Sequence, residues 1–144
     1  MLIGEYRHSI DTKRRISVPA KMRKDLGERF VITRGLDSCL FVYSMNEWEK
    51  LSTKLSELPM GKSATRNFVR LMLAGASDVE LDGLGRVLIP EYLKKYAGLQ
   101  KNAVIAGVNT RMEIWDADKW DEFKNKAESN ADELAENLGE LGVY

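Results

Sequence analysis

The sequence predicts an α+β protein in which two related, strand-rich units complete one small β-barrel about a pseudo-twofold axis, with helices at the periphery. Three observations lead there. A loop, a short strand and a helix start occur twice in the same order, at Asp11-Thr-Lys-Arg-Arg15-Ile-Ser-Val-Pro19 and Asp82-Gly-Leu-Gly-Arg86-Val-Leu-Ile-Pro90. The echo continues downstream: Val31-Ile32 answers Val104-Ile105, Leu40 to Tyr43 answers Met112 to Trp115, and Asn46-Glu-Trp48 answers Asp118-Lys-Trp120. Each unit, a few strands and one short helix, is too small to bury a core alone, so the two must share one. The offset is 71 residues at the loops and 72 at the Trp positions, which predicts one extra residue in the second unit between Pro90 and Val104.

In chain order, Glu5 to Ile10 alternates weakly and runs into Asp11, which suits a strand ending in a turn. Ile16-Ser-Val18 alternates again, Pro19 suits the first turn of a helix, and Gly27 ends that helix after Leu26, giving a hairpin followed by a short helix. Phe30 to Arg34 and Leu40 to Tyr43 read as strands. Ser44-Met-Asn-Glu47 has the form of a capping box, and the apolar positions Trp48, Leu51, Leu55 and Leu58 keep helical spacing as far as Pro59. A second helix runs from Ser63 to Gly75, and its cluster Phe68, Leu71, Met72, Leu73 predicts burial on more than one side. The second unit repeats the plan with strands at Asp78 to Leu81, Val87 to Ile89, Ala103 to Val108 and Met112 to Trp115, and a helix from Pro90 to Ala97. Asp116 is placed to cap a last, acidic helical segment whose Leu134, Leu138 and Leu141 form a stripe interrupted by Gly139 and Gly142. The expected division is 5–47 and 76–119 for the two units, 48–75 for connecting helices and 120–144 for the acidic segment.

With 44% hydrophobic and 31% charged residues the chain has the composition of a core-forming globular protein. No stretch has the length of a membrane span or the apolar core of a secretory signal, so a cytoplasmic location is expected. The single cysteine, Cys39, excludes an intrachain disulfide and reads as a small buried filler. The zero net charge conceals a gradient: residues 1–36 carry nine Lys/Arg against four Asp/Glu, and residues 116–144 carry three against nine. One end is therefore suited to a polyanion and the other is not.

The loops carry the chemistry. Asp82 restrains its turn by accepting from amides ahead of it, Gly85 suits a left-handed position, and Arg86 is set at the mouth of a strand. In the first copy Arg14 replaces the glycine, so that loop either strains or follows another path; if the turn is the same, Arg14→Gly is expected to stabilise the fold. Paired Arg-tipped loops about a twofold axis suit successive stretches of nucleic-acid groove. Against this stands the plain reading, in which loop charge serves solvation, Asp11 and Asp82 form turns, His8 is an ordinary strand residue, and Trp48 and Trp120 pack. Catalysis has little support: a lone His and a lone Cys build neither a metal site nor a nucleophile pair, and the Arg beside each loop Asp keeps it ionised.

The order of Gly4-Glu-Tyr6, Ile10-Asp11, Arg15, Val18-Pro19, Leu40, Trp48, Gly75, Asp82, Gly85-Arg86 and Trp115 resembles the MraZ family of bacterial transcriptional regulators, built of two SpoVT/AbrB-type halves, over nearly the whole chain. The resemblance implies swapped-hairpin units forming a small β-barrel, ring-shaped homo-oligomers, and repression through short double-stranded DNA repeats at the protein's own promoter, ahead of the division and cell-wall gene cluster. It implies a nucleoid-associated protein without enzyme activity or cofactor. Carried over by position, the DNA-facing residues are Lys13, Arg15 and Arg86, with Arg14 contributing a further cation; Asp11, Asp82 and Gly85 shape the loops. Arg14 departs from the family's Gly, and Leu84 from the Lys often found before the second Gly. A rival from another class is a ring-forming protein-interaction module that uses the loops as subunit contacts.

Overall fold

In the computed structural model, which describes residues 1–143, each half of the chain lends its first strand to the other. The elements are β1 (Leu2–Ser9), β2 (Arg15–Ser17), α1 (Ala20–Leu26), β3 (Arg29–Arg34), β4 (Leu40–Ser44), α2 (Met45–Ser56), α3 (Ser63–Ala74), β5 (Ser77–Glu80), β6 (Arg86–Leu88), α4 (Glu91–Tyr96), β7 (Asn102–Asn109), β8 (Met112–Asp116), α5 (Ala117–Ser129) and α6 (Ala131–Asn137), followed by a 3₁₀ turn at Gly139–Leu141. The large sheet has the order β1-β7-β8-β4-β3-β5 and is antiparallel throughout. Strand β1 of the first half therefore lies on β7 of the second, and β5 of the second on β3 of the first. A separate two-stranded ribbon pairs β2 with β6, one strand from each half. This is the swapped, pseudo-twofold α+β arrangement expected from the repeat.

The registers locate the axis. Repeat-equivalent Ile16 and Val87 face each other across the ribbon, and equivalent Phe41 and Glu113 face each other where β4 meets β8. Because side chains alternate along a strand, Ile16 and Val87 point into the core while Arg15, Ser17, Arg86 and Leu88 share the outer face of the ribbon. Beneath the ribbon lie Val18, Ile89, Phe30, Ile32, Ile105 and Ile114, closed at the sides by Met22 and Leu26 of α1 and Leu93 of α4. The opposite face of the sheet carries Cys39, Phe41, Tyr43, Val104 and Trp115 under Leu55 of α2, Met72 of α3 and Trp120 of α5. Strands β4 and β8 are thus buried on both faces, which is why β4 reads as a continuous apolar run and β8 is interrupted only by the enclosed Glu113.

Local chemistry sets the helix starts. The Ser44 hydroxyl accepts from the Glu47 amide at 3.2 Å and the Asp116 carboxylate from the Lys119 amide at 3.3 Å. The Glu47 carboxylate does not reach back as a capping box requires; it meets Lys50 instead. Cys39 is fully buried, its thiol donating to the Leu36 carbonyl, and burial pushes its pKa well up. Trp48 packs on Tyr43 and Trp120 on Trp115, so both are packing residues.

Three further expectations change. The loop after β1 turns as a hairpin would, with the Asp11 amide on the Arg15 carbonyl, but its arms part: β1 pairs with β7 and β2 with β6, because only across the axis do Leu2, Ile10 and Ile16 find a common core. The repeat's drift is not one insertion. Val31 lies opposite Tyr43 and Val104 opposite Trp115, so the second unit is two residues longer between Gly98 and Ala103 and one shorter in the hairpin that follows. Helix α3 buries one side only: Met72 is enclosed and Val69 and Leu73 pack against the core, while Phe68 stands 37% exposed.

The swap has a tight point where β1 crosses Gly107, which pairs with Gly4. A Cβ at Gly107 would lie 2.6 Å from the Ile3 amide nitrogen and from the Leu2 carbonyl carbon, both backbone atoms that cannot move aside alone. Gly107→Ala is therefore expected to loosen β1 from β7 and cost about 1–3 kcal/mol, read as a lower thermal midpoint, with an unchanged midpoint contradicting the β1–β7 pairing.

Candidate nucleic-acid interface

The two Asp-to-Arg loops sit at opposite ends of the β2/β6 ribbon and are built bond for bond alike. In the first, the Asp11 carboxylate accepts from the amides of Lys13 (2.9 Å) and Arg15 (2.8 Å), and its second oxygen takes the Arg15 Nε at 2.7 Å. In the second, Asp82 accepts from the amides of Leu84 (2.9 Å) and Arg86 (2.9 Å), and from the Arg86 Nε at 2.9 Å. A backbone bond closes each turn, Arg14 to the Asp11 carbonyl and Gly85 to the Asp82 carbonyl, both 3.0 Å. The pattern is an Asx turn extended to the strand's first residue. Amide donors, led by those of Arg15 and Arg86, hold both carboxyls below their ordinary pKa, so both loops keep their negative charge and their grip on the arginine at neutral pH.

Arg14 does take the left-handed conformation, φ 63°, against 75° for Gly85. The loop does not follow another path; Arg14 adopts the turn that Gly85 adopts. Its side chain is partly buried, and its Nε donates to the Ile89 carbonyl at 3.1 Å. Two further bonds knit the loops into one unit across the ribbon: the Val18 amide donates to the Gly85 carbonyl (3.0 Å) and the Ile89 amide to the Arg14 carbonyl (2.8 Å).

The expected site residues fall into four groups. Arg15 and Arg86 share the outer face of the ribbon and lie diagonally across it, a separation of roughly 7–8 Å between backbones. The Nε of each is engaged by its own Asp, so the Nη pair is what remains for a partner; Arg86 Nη1 also approaches Asp11 of the other loop, at 4.0 Å. Lys13 is exposed at its loop tip, at the position that Leu84, 69% exposed, holds in the other. Arg14 is directed inward, whereas Asp11, Asp82 and Gly85 form the turns. Sequence reasoning missed Arg23 of α1, whose Nε donates to the Val18 carbonyl at 2.8 Å and whose guanidinium lies over Gly85. A cation one turn into the helix beside each loop was the available signal: Arg23 and Lys94 each stand four residues after the repeated Pro.

A family model described as "MraZ protein, putative antitoxin-like" matches the chain twice, over residues 1–71 and 72–140. Among curated proteins, "Transcriptional regulator MraZ" of Natranaerobius thermophilus is 51% identical over 99% of this chain and the whole of its own length. The proteins of that name from Acetivibrio thermocellus and Alkaliphilus metalliredigens are each 48% identical over the same shares.

Because Arg14 shares the turn of Gly85, its replacement by Gly relieves about 1–2 kcal/mol of left-handed strain. It also removes the bond to Ile89 and loosens the unfolded chain, terms of about 1 kcal/mol each in the other direction. The expected outcome for Arg14→Gly is thus a stability within about 1 kcal/mol of the parent rather than a clear gain, measured by urea unfolding; a loss well beyond that would mean the Ile89 bond outweighs the strain.

Proposed function

The chain belongs to the MraZ family, and from that premise we propose that it is a transcriptional regulator that binds specific double-stranded DNA through the outer face of the β2/β6 ribbon. The observation that carries the reading is the matched pair of arginines, Arg15 and Arg86, each locked by its own aspartate on one exposed ribbon face. A two-stranded ribbon fits the major groove, and an Arg whose rotamer is already fixed loses little entropy when its Nη fork meets the O6 and N7 of a guanine. Lys13 serves a neighbouring phosphate. The targets are short repeats at the protein's own promoter, ahead of the division and cell-wall cluster, and the action is repression at the nucleoid.

One ribbon is a small contact for a chain of zero net charge, so several chains act together in a closed homo-oligomer. Leu134, Leu138 and Leu141 of the acidic C-terminal segment are 51%, 37% and 73% exposed, and Phe68, Leu58 and Met60 on and beside α2 and α3 are also open. Apolar residues on short helices of this kind call for a partner surface. Identical chains joined head to tail close into a ring or run on as a filament, and a ring sets many ribbons on one rim.

Titration against the upstream DNA and unrelated DNA at several salt concentrations tests the DNA reading. Arg15→Ala and Arg86→Ala are each expected to weaken specific binding by about 1–3 kcal/mol, and Lys13→Ala to lower the salt slope by about one unit. If both Arg variants bind as the parent does, the ribbon is not the reading surface, and the loops are better seen as subunit contacts of a protein-interaction ring.

Light scattering during size-exclusion chromatography tests the assembly. A large discrete mass that collapses when Leu134 and Leu138 are replaced by Asp is the expected result; a single 16.3 kDa species at micromolar concentration overturns it.

A further inference from the structure

The loops match in backbone but are clamped by arginines from different parts of the chain. In the first, the clamp is internal: Arg14 occupies the left-handed position and sends its Nε to the Ile89 carbonyl. In the second, Gly85 has no side chain to send to the equivalent carbonyl, that of Val18. That carbonyl nevertheless receives an arginine, because Arg23 reaches it from α1 at 2.8 Å. The Arg23 guanidinium rests on Gly85 so closely that a Cβ there would overlap it. Arg23 thus fills, through space, the volume and the bond that Arg14 fills from within its own loop. The repeat shows the exchange from the other side, since the position equivalent to Arg23 in α4 is Lys94, half-buried and lining the cleft beside Arg14. Each loop has one guanidinium on its pre-proline carbonyl. Where the helix supplies it the turn residue is Gly, and where the turn supplies it the helix has Lys.

Val18 is bonded at both its polar backbone atoms, its amide to the Gly85 carbonyl and its carbonyl to Arg23. Arg23 therefore pins the junction from which the second loop, and with it Arg86, takes its direction. We propose that Arg23 is the positioning residue for Arg86, the counterpart of Arg14 for Arg15, and that the two arrangements are interchangeable within this chain. The proposal rests on the reading of the ribbon as the DNA-contacting face, and it assigns Arg23 an action on DNA through loop geometry rather than through a phosphate.

The test is a compensation experiment on the full chain. Arg23→Ala is expected to weaken specific DNA binding by about tenfold, the loss of one charge-assisted hydrogen bond converted to affinity. Gly85→Arg alone is expected to bind weakly, because its new side chain competes with Arg23 for one space. The double variant Arg23→Ala with Gly85→Arg rebuilds the first loop's arrangement in the second and is expected to regain most of the affinity. Amide hydrogen exchange of Leu84 and Arg86, whose N–H groups bond Asp82, provides a readout that needs no DNA: faster exchange in Arg23→Ala, restored in the double variant. No rescue in exchange by the double variant overturns the proposal. So does a salt slope lowered by one unit in Arg23→Ala with unchanged exchange, which marks a direct phosphate contact. If the parent protein does not distinguish its upstream DNA from unrelated DNA, the reading of the ribbon fails, and the exchange data still decide whether Arg23 holds the loop.

Discussion

Burial across the pseudo-twofold axis is the constraint from which the other features follow. Ile16 finds its neighbour in Val87, Leu40 lies opposite Ile114, and β1 and β5 form the two edges of one sheet, each paired with a strand of the other half. The same burial sets the face proposed to meet DNA. Because side chains alternate, a register that places Ile16 and Val87 in the core also places Arg15 and Arg86 outside, and a slip of one residue would bury two guanidinium groups and expose two apolar side chains. The loops need no separate scaffold; the core that neither half can form alone sets their position.

How much was legible in the sequence depended on range. Asp11 and Asp82, the helix caps Ser44 and Asp116, and the strands with apolar runs are local signals, and the structure has them where the residue types require. The crossing of the halves was legible too, because two short repeats have no other way to bury their apolar residues. Which strand pairs with which was not legible: β1 is joined to β7 over about a hundred residues, and nothing in Glu5 to Ile10 names Val104 as the residue opposite Arg7. The left-handed turn at Arg14 looked like strain because its compensation, the bond to Ile89, lies 75 residues away. Arg23 was missed for the same reason, since a cation on a short helix is usually a solvated one and its meaning here comes from Gly85 in the other half.

The charge gradient also has a structural counterpart. The acidic segment does not stand clear of the basic first third: Arg7 pairs with Asp121, while Glu5 takes both Lys124 and the Trp120 indole. These exposed pairs contribute little stability, but they fix α5 alongside β1, the lent strand, away from the ribbon. Asp121, one of the segment's nine acidic residues, is thereby held beside β1 rather than at the loops.

At the far end of the axis, Phe41 faces Glu113 where perfect symmetry would set like against like. Glu113 is 7% exposed and its carboxylate is bound by Arg111 and by the Trp115 indole, and the Arg111 guanidinium lies 4.4 Å over the Phe41 ring. Two second halves brought together in the same way would press two enclosed carboxylates against each other, and two first halves would lose the cation that covers the ring. The seam is thus made of unlike surfaces: one half presents an aromatic ring, the other a carboxylate with the arginine that covers that ring, a complement that neither half would meet in a second copy of itself.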